Sequence, residues 1–194
     1  KVRELVNKSP GRNVLFAGAG VGGHCIPKDP WLLAYGAKDK AALMVIPAAR
    51  AVNDSMPQQI IKILKNALDN YDKKLEGASI SILGYAYLED SDDTRNSPSE
   101  KLLELLYAEK ADVVVQDPYV PSYQQNVLDS MQNSDAVIIM VAHESYKNMD
   151  LAEVKQRLQL PIVIDGRRII NASIAKQAGL DYYGIGYGLS NLER

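Results

Sequence analysis

The stretch ASISILGYAYLEDSDDTRNSPSEKLLELL, residues 78–106, contains the pattern from which the fold can be predicted. Its residues 79–83, SISIL, form a short apolar run with β-branched side chains, which is typical of a buried strand. Ser97-Pro98-Ser99-Glu100 is a capping box with Pro at the first helical position, so we predict a helix from there to about Lys110. The stretch therefore predicts a strand, a loop and a helix in succession.

The same alternation of strand and helix continues toward the C-terminus. Further apolar strands are predicted at 113–115, 136–141, 162–164 and 182–185, with helical segments near 121–131, 150–158 and 171–178. Continuous apolar strands that alternate with helices indicate a parallel sheet covered on both faces. We therefore expect residues 57–194 to form one doubly wound, mainly parallel α/β domain, which opens with an amphipathic helix.

Residues 1–56 are predicted to be the helical remnant of a different domain. A polar helical segment breaks at Ser9-Pro10-Gly11, and a helix over 30–38 follows with Asp29 as its N-cap. Another helical pattern runs over 41–54, and Pro47 is expected to mark its true first turn. No initiator Met precedes Lys1, so we expect the chain to be a fragment or a processed product.

Composition excludes several classes of function. With a net charge of −2, the chain lacks the basic excess that nucleic-acid binding needs. Its longest apolar run, AVIIMVA at 136–142, is too short to span a bilayer, and the N-terminal residues lack the apolar core of a signal peptide. A single Cys allows no internal disulfide, so we expect a reducing, cytoplasmic location. From the charge and the apolar runs we expect neither a membrane nor a nucleic-acid partner.

A second stretch, GAGVGGHCIPKDP at 18–30, allows three interpretations of the chemistry. Its glycines spell the dinucleotide pattern G-x-G-x-x-G, but that site needs a preceding strand and a helix that starts at once. Pro27 and Pro30 are expected to delay the helix, so this interpretation is not favoured.

A metal site and a thiol nucleophile are the other two interpretations. Zinc-type sites need three or four converging ligands, whereas the two His residues, His24 and His143, are far apart in sequence, so no metal is predicted. Cys25 lies just before the predicted helix and three residues before Lys28, and both features favour a thiolate. On these residues alone, Cys25 could equally be a buried apolar side chain, and Asp29 could act on a water or only cap the helix.

The chain resembles the UDP-glucose/GDP-mannose dehydrogenase family of nucleotide-sugar 6-dehydrogenases. Ordered motifs carry the resemblance: GVGGHCIPKDP at 20–30, ILGYAY at 82–87, DDTRNSP at 92–98, Asp117-Pro118, SDAV at 134–137 and Asp165-Gly166-Arg167. The resemblance implies a Rossmann-like, C-terminal UDP-sugar-binding domain at 57–194. It also implies that residues 1–56 are the end of a central dimerisation domain that carries the cysteine loop.

The resemblance implies an NAD-dependent, four-electron oxidation of the sugar C6 hydroxyl to a carboxylate. Cys25 would capture the intermediate aldehyde and then carry a thioester, which water hydrolyses with Asp29 as general base. Lys28 and Arg95 match positions that contact the NAD pyrophosphate, although Arg95 could also be a solvated loop residue. The NAD-binding domain and a catalytic lysine are expected upstream, so this chain alone should be inactive, and a homodimer or higher homo-oligomer is expected.

The resemblance also implies a substrate site. Its expected residues are Gly18, Gly20 and Gly22, the backbone of Val14 and Leu15, and the side chains of Tyr87 and Arg167. His24 is typical of members that act on UDP-N-acetylhexosamines, notably UDP-N-acetyl-D-mannosamine, with UDP-glucose and UDP-N-acetylgalactosamine as alternatives. Leu88 stands where the family commonly has Lys, and Arg12 is a displaced counterpart of a substrate arginine, so these sugar contacts stay open.

Two functions from other classes are alternatives. A nucleotide-sugar-binding module without catalysis would follow if no NAD-binding domain accompanied the chain. A thiol redox protein is not favoured, because a second Cys that could resolve a disulfide is absent from the sequence.

Overall fold

The computed structural model describes residues 2–186, so Lys1 and residues 187–194, the end of the predicted α/β domain, lie outside it. The helices are α1 Val2–Val6, α2 Cys25–Ala37, α3 Val45–Asp54, α4 Met56–Asp69, α5 Pro98–Ala108, α6 Glu144–Lys147, α7 Leu151–Arg157 and α8 Ala172–Gln177. The strands are β1 Ser79–Leu83, β2 Asp112–Gln116, β3 Ala136–Ile139, β4 Ile162–Asp165 and β5 Asp181–Gly184. Two short 3-10 turns, Pro121–Tyr123 and Asp129–Met131, lie between β2 and β3.

All five strands pair in parallel, in the order β2-β1-β3-β4-β5. The chain runs from β1 outward to β2 and then returns to β3 on the other side of β1. This reversal makes a topological switch point at the carboxyl ends of β1 and β3, where open α/β sheets form a ligand-binding crevice. The predicted doubly wound parallel α/β fold is confirmed.

The sheet is covered on both faces, and each face has its own apolar core. On one face lie the buried side chains of α4 and α5: Ile60, Leu64, Leu68, Leu102 and Leu106. On the other face lie Met131, Tyr146, Val154 and Ala175. The predicted amphipathic pattern of α4 is confirmed, since its apolar positions repeat with the helical period and face the sheet. Each fully buried Leu or Ile contributes about 1.5–3 kcal/mol to this packing.

The cap at the start of α5 is formed in part. Ser97 Oγ accepts a hydrogen bond from the backbone N–H of Ser99, and Pro98 occupies the first turn as predicted. The backbone N–H of Ser97 donates to the carbonyl of Thr94. That bond occupies the donor that Glu100 would satisfy in a complete capping box.

The predicted start of α2 is wrong: the helix begins at Cys25, directly after the glycine loop (residues 18–23), and Asp29 is not its N-cap. Pro27 is the third helical residue, where the missing N–H has no intrahelical partner to lose. Pro30 lies inside the helix. The prolines therefore do not delay the helix, but the described residues before the glycine loop contain no strand, so a dinucleotide fingerprint is still not formed.

The other helices differ from their predicted positions in smaller ways. The predicted helix near 121–131 is replaced by the two 3-10 turns. The helix α3 begins at Val45, which puts Pro47 in its first turn, as predicted. A short helix, α6, was not predicted. Within residues 2–186, no helix combines the length and the apolar character required to span a membrane.

Candidate active site

Cys25 is the first residue of α2, and its side chain is exposed at the surface. The glycine loop that precedes it is hydrogen-bonded to two loops at the carboxyl end of the sheet. Ala19 N–H donates to the carbonyl of Gly166 after β4 (3.0 Å), and Gly23 N–H donates to the carbonyl of Arg95 after β1 (2.8 Å). Cys25 is therefore held at the edge where sheets of this topology bind ligands, and it is not a buried apolar side chain.

The glycines allow the loop to pack closely against the rest of the protein. A Cβ on Gly22 would lie 2.5 Å from the carbonyl oxygen of Asn96 and 2.7 Å from Tyr87 Cβ. Gly23 has a φ of +91°, and a Cβ there would lie 2.8 Å from Cε2 of the Tyr87 ring. Protein atoms thus fill the space that side chains would need. Substrate contacts by Gly18, Gly20 and Gly22 stay a prediction.

Asp29 lies one helical turn after Cys25 on α2. Residues four apart share one face of a helix, with Cβ atoms about 5–6 Å apart. The Asp29 carboxylate accepts a hydrogen bond from Lys28 Nζ at 2.5 Å. This hydrogen bond raises the pKa of Lys28, and the negative charges of Asp29 and of a Cys25 thiolate add to the effect. A thiol, a carboxylate and an ammonium group are thereby gathered at the start of one helix.

Arg95 brings a second cation to the same region from the loop after β1. Its Nε and Nη2 bind both carboxylate oxygens of Asp93, with Nη2 at 2.5 Å. The hydrogen bonds and charge of Asp93 raise the pKa of Arg95, and a Cys25 thiolate contributes in the same direction. Lys28 and Arg95 are therefore two exposed, carboxylate-oriented cations within electrostatic range of Cys25. Such a pair of donors suits a diphosphate.

Tyr87 and Arg167 reach the glycine loop from two different strand ends. The Cδ of Arg167 lies 3.2 Å from where a Cβ on Gly18 would be. Arg167 Nη2 lies 3.7 Å from a carboxylate oxygen of Glu89, and its side chain is 22% exposed. Leu88, next to Tyr87, is exposed at the same loop. The structure therefore places Tyr87 and Arg167 on the same edge of the sheet as Cys25.

The predicted backbone contacts at Val14 and Leu15 lie in an exposed segment without regular structure. Val14 N–H donates to Asn7 Oδ1 at 2.7 Å, and the Val14 carbonyl accepts from Arg3 Nε at 2.8 Å. These bonds join Val14 to Arg3 in α1 and to Asn7 just after it, so a substrate contact through the Val14 N–H would have to replace the bond to Asn7. Arg12 lies in the exposed turn just after α1, and its expected role stays a prediction.

A buried Asp117–His143 pair joins the loops at the sheet edge, and the sequence-based predictions assigned it no role. His143 Nδ1 accepts from the backbone N–H of Asp90 at 2.9 Å, so Nε2 carries the proton and donates to Asp117 Oδ2 at 3.1 Å. The Asp117 carboxylate also accepts four backbone N–H bonds, from Tyr85, Ala86, Tyr119 and Val120. One carboxylate therefore ties together the loops that follow β1, β2 and β3.

The hydrogen bonds decide the charge state of Asp117. Burial alone would raise its pKa, but the bonds from His143 and from the backbone outweigh burial and lower it to about 2. Both residues follow predicted strands, and that position was a signal that could have found them.

Among residues 2–186, no group of three His, Cys, Asp or Glu side chains could hold a metal ion.

The back of the glycine loop faces a cleft of about 340 Å³ between the loop, α3–α4 and the start of α5. Asn53 and Asn96 line this cleft, together with Arg50. Arg50 is 8% exposed and binds Asp54, while its Nε has no partner among the described residues. On this side the glycine loop is held by hydrogen bonds from the side chains of Asn53 and Asn96.

Two models of one protein family match the chain. The central-domain model of the UDP-glucose/GDP-mannose dehydrogenase family matches residues 1–55, and the UDP-binding-domain model of that family matches residues 81–172.

Individual relatives agree with these matches. The chain is 36% identical to UDP-N-acetyl-D-mannosamine dehydrogenase of Pyrococcus horikoshii over 185 residues, which covers 95% of the chain and 43% of the relative. It is 34% identical to the enzyme of the same name from Methanocaldococcus jannaschii, with the same coverage of 95% and 43%. A crystal structure of NDP-N-acetyl-D-galactosaminuronic acid dehydrogenase from Methanosarcina mazei Go1 superposes with a TM-score of 0.86 at 35% identity, covering 95% of the chain and 43% of that structure. The chain thus spans less than half the length of these relatives.

Proposed function

The chain belongs to the UDP-glucose/GDP-mannose dehydrogenase family, and on that premise we propose that it supplies the thiol and the sugar-binding part of an NAD-dependent nucleotide-sugar 6-dehydrogenase. The proposed reaction oxidises the C6 hydroxyl of a UDP-hexosamine to the uronate. One observation carries the proposal. Cys25 is exposed at the start of α2, beside Lys28 and Asp29, on the sheet edge that also bears Arg95.

Cys25 provides the nucleophile for the second half of the reaction. Loss of a hydride and a proton from the C6 alcohol gives an aldehyde, and the Cys25 thiolate adds to its carbon to form a thiohemiacetal. Loss of a second hydride and the hydroxyl proton gives a thioester, which water converts to the carboxylate and the free thiol. Covalent capture divides a difficult oxidation into two steps and retains the aldehyde. NAD⁺, when bound, would provide the acceptor for each of the two hydrides.

Asp29 would assist the water that hydrolyses the thioester. It shares the helix face of Cys25 one turn later, so a water between them could lose its proton to the carboxylate as it attacks the thioester carbon. The pairing of Asp29 with Lys28 orients the carboxylate. The structural alternative in which Asp29 only caps α2 is excluded by the position of the helix start.

Lys28 and Arg95 would hold the NAD pyrophosphate. The exposed ammonium group of Lys28 and the exposed guanidinium group of Arg95 are donors that suit a diphosphate. Each is oriented by a neighbouring carboxylate. The glycine loop would not serve this purpose, since no strand precedes it among the described residues and protein atoms lie where side chains on its glycines would be.

We place the nucleotide-sugar at the switch point between β1 and β3, with Tyr87 and Arg167 on its border. UDP-N-acetyl-D-mannosamine is the preferred substrate, on the basis of His24 and of the names of the relatives. UDP-glucose and UDP-N-acetylgalactosamine are the alternatives. Residues 1–56 and 57–194 would be parts of a central and a UDP-sugar-binding domain.

Exposed apolar side chains on α2 support the expectation that another domain or subunit contacts this helix. This helix has no buried residue, although it carries the apolar side chains of Trp31, Leu32, Leu33 and Tyr35. A patch of this kind on a soluble surface usually marks a contact with another domain or subunit. The expected homo-oligomer and the expected NAD-binding domain are two candidates for that contact.

The test compares the wild-type protein at its full native length with Cys25→Ala, given NAD⁺ and each of the three UDP-sugars. Wild-type protein should form the uronate with two NADH per sugar, fastest with UDP-N-acetyl-D-mannosamine, and Cys25→Ala should form none. Undiminished uronate formation by Cys25→Ala would refute the thiol mechanism. Binding of a UDP-sugar by wild-type protein without any NADH formation would instead support the non-catalytic module.

A further inference from the structure

Two asparagines from different parts of the chain hold the backbone of the glycine loop. Asn53, near the end of α3, accepts from Val21 N–H through Oδ1 at 2.9 Å, and its Nδ2 donates to the Val21 carbonyl at 3.4 Å. The carboxamide therefore satisfies both backbone groups of Val21. Only an amide side chain offers an acceptor and a donor in this arrangement.

Asn96 holds the loop two residues further along, at Gly23. Gly23 is followed directly by His24 and Cys25. Its Nδ2 donates to the carbonyl of Gly23 at 2.9 Å, while the adjacent Arg95 carbonyl accepts from Gly23 N–H at 2.8 Å. Asn96 has a φ of +50°, in the left-handed region that Asn adopts more readily than most other residues. The backbone conformation and the side-chain bond both explain why an Asn occupies this position.

We propose that Asn53 and Asn96 are positioning residues that clamp the glycine loop and thereby fix Cys25 relative to Arg95 and to the substrate edge. The proposal rests on the proposed function, because it assigns the clamp to the reaction of Cys25. Neither asparagine touches the reacting atoms, so each acts only through the backbone that leads to the thiol.

The clamp matters for one half of the reaction only. Oxidation of the aldehyde to the uronate requires the thiol within bonding distance of the sugar C6. Reduction of the same aldehyde to the alcohol by NADH requires no thiol. A displacement of about 1 Å can lower the rate of a reaction between bound groups about a hundredfold. Loosening the clamp should therefore slow the first reaction while leaving the second nearly unchanged.

The variants Asn96→Asp and Asn53→Asp test the clamp with little change in shape. Each retains an acceptor but replaces the donating NH₂ by a carboxylate oxygen, which then faces a backbone carbonyl. Asp also tolerates the left-handed conformation at position 96. Asn133→Asp is the matched control for Asn96, since Asn133 is exposed with a φ of +61°. Asn66→Asp, on an exposed position of α4, is the control for Asn53.

The measurement uses the full native-length protein and the UDP-hexosamine 6-aldehyde. The ratio of uronate formed with NAD⁺ to alcohol formed with NADH should fall at least tenfold in both clamp variants and stay at the wild-type value in both controls. Because both reactions are measured on one preparation, loss of folded protein cannot change this ratio. Amide hydrogen exchange supplies a readout without catalysis, and Gly23 N–H should exchange at least tenfold faster in Asn96→Asp.

Each other outcome overturns an identifiable claim. An unchanged ratio in the clamp variants, or an equal fall of both reactions, would overturn the positioning role. Unchanged exchange at Gly23 would show that the carboxamide does not hold the loop. Cys25→Ala that still makes uronate from the aldehyde at the wild-type rate would refute the proposed function itself, whatever the clamp variants show.

Discussion

Replacing Asp117 by Asn should lower the free energy of unfolding strongly. It should also make that free energy depend less on pH in the acid range. In Asp117→Asn one acceptor oxygen becomes an NH₂ group, so at least two of the five buried donors around it lose their acceptor. Each unsatisfied buried donor costs about 1–3 kcal/mol, which gives a loss of about 4 kcal/mol at neutral pH. That is a large part of the 5–15 kcal/mol typical of a domain.

The acid dependence follows from the pKa of Asp117, which is lowered from 3.8 to about 2 in the folded protein. A lowered pKa stabilises the folded state fully above about pH 5, and this contribution of about 2 kcal/mol is lost as the pH falls toward about 2. About half of it is gone by pH 3. The stability difference between wild type and Asp117→Asn should therefore narrow by about 1 kcal/mol between pH 6 and pH 3.

Urea unfolding followed by circular dichroism measures both effects. Asp112→Asn, which removes the same charge from an exposed position of β2, is the matched control and should change stability by less than about 0.5 kcal/mol. A loss in Asp117→Asn that is no larger than in the control would refute the reasoning. So would a difference from wild type that stays constant down to pH 3.

Three further predictions test the loop, the cap and the thiol. Gly22→Ala would place a Cβ 2.5 Å from the Asn96 carbonyl oxygen, so overpacking of about 1–3 kcal/mol should displace the loop and lower uronate formation at least tenfold. Gly36→Ala is its control, because a Cβ there meets nothing within 4 Å and the helix should gain about 0.5–1 kcal/mol in thermal unfolding. Ser97→Ala should lower the stability by about 1 kcal/mol in urea unfolding, and no loss would show that the cap of α5 is unimportant. Iodoacetamide should alkylate Cys25 and abolish uronate formation, with protection by the UDP-sugar, and retained activity after complete alkylation would contradict its role.

The sheet and its covering helices were predictable because their signals are local. The apolar run of β1 and the spacing of buried residues in α4 each lie within one short window of sequence. The capping residue of α5, Ser97, lies only two positions before Ser99, whose N–H it accepts. These features needed no knowledge of distant residues.

The residues of the candidate site were predicted mainly from a resemblance, and their roles stay predictions. The start of α2 was misplaced because Pro27 breaks a helix in its interior but not in its first turn, and the sequence alone did not reveal which case applied. The clamp by Asn53 and Asn96 and the pairing of Asp117 with His143 join residues that are far apart in the chain. Bonds of this kind leave no periodic pattern, so the tertiary structure was required to find them.

The hydrogen bonds of the glycine loop also determine the order in which the site can be assembled. The loop comes early in the chain, but its partners Arg95 and Gly166 come later, after β1 and after β4. During synthesis from the N-terminus, the thiol therefore leaves the ribosome long before the groups that orient it. The loop can take its final place only when β4 has joined the sheet, so a chain that stalls before that point carries Cys25 but not the arrangement around it.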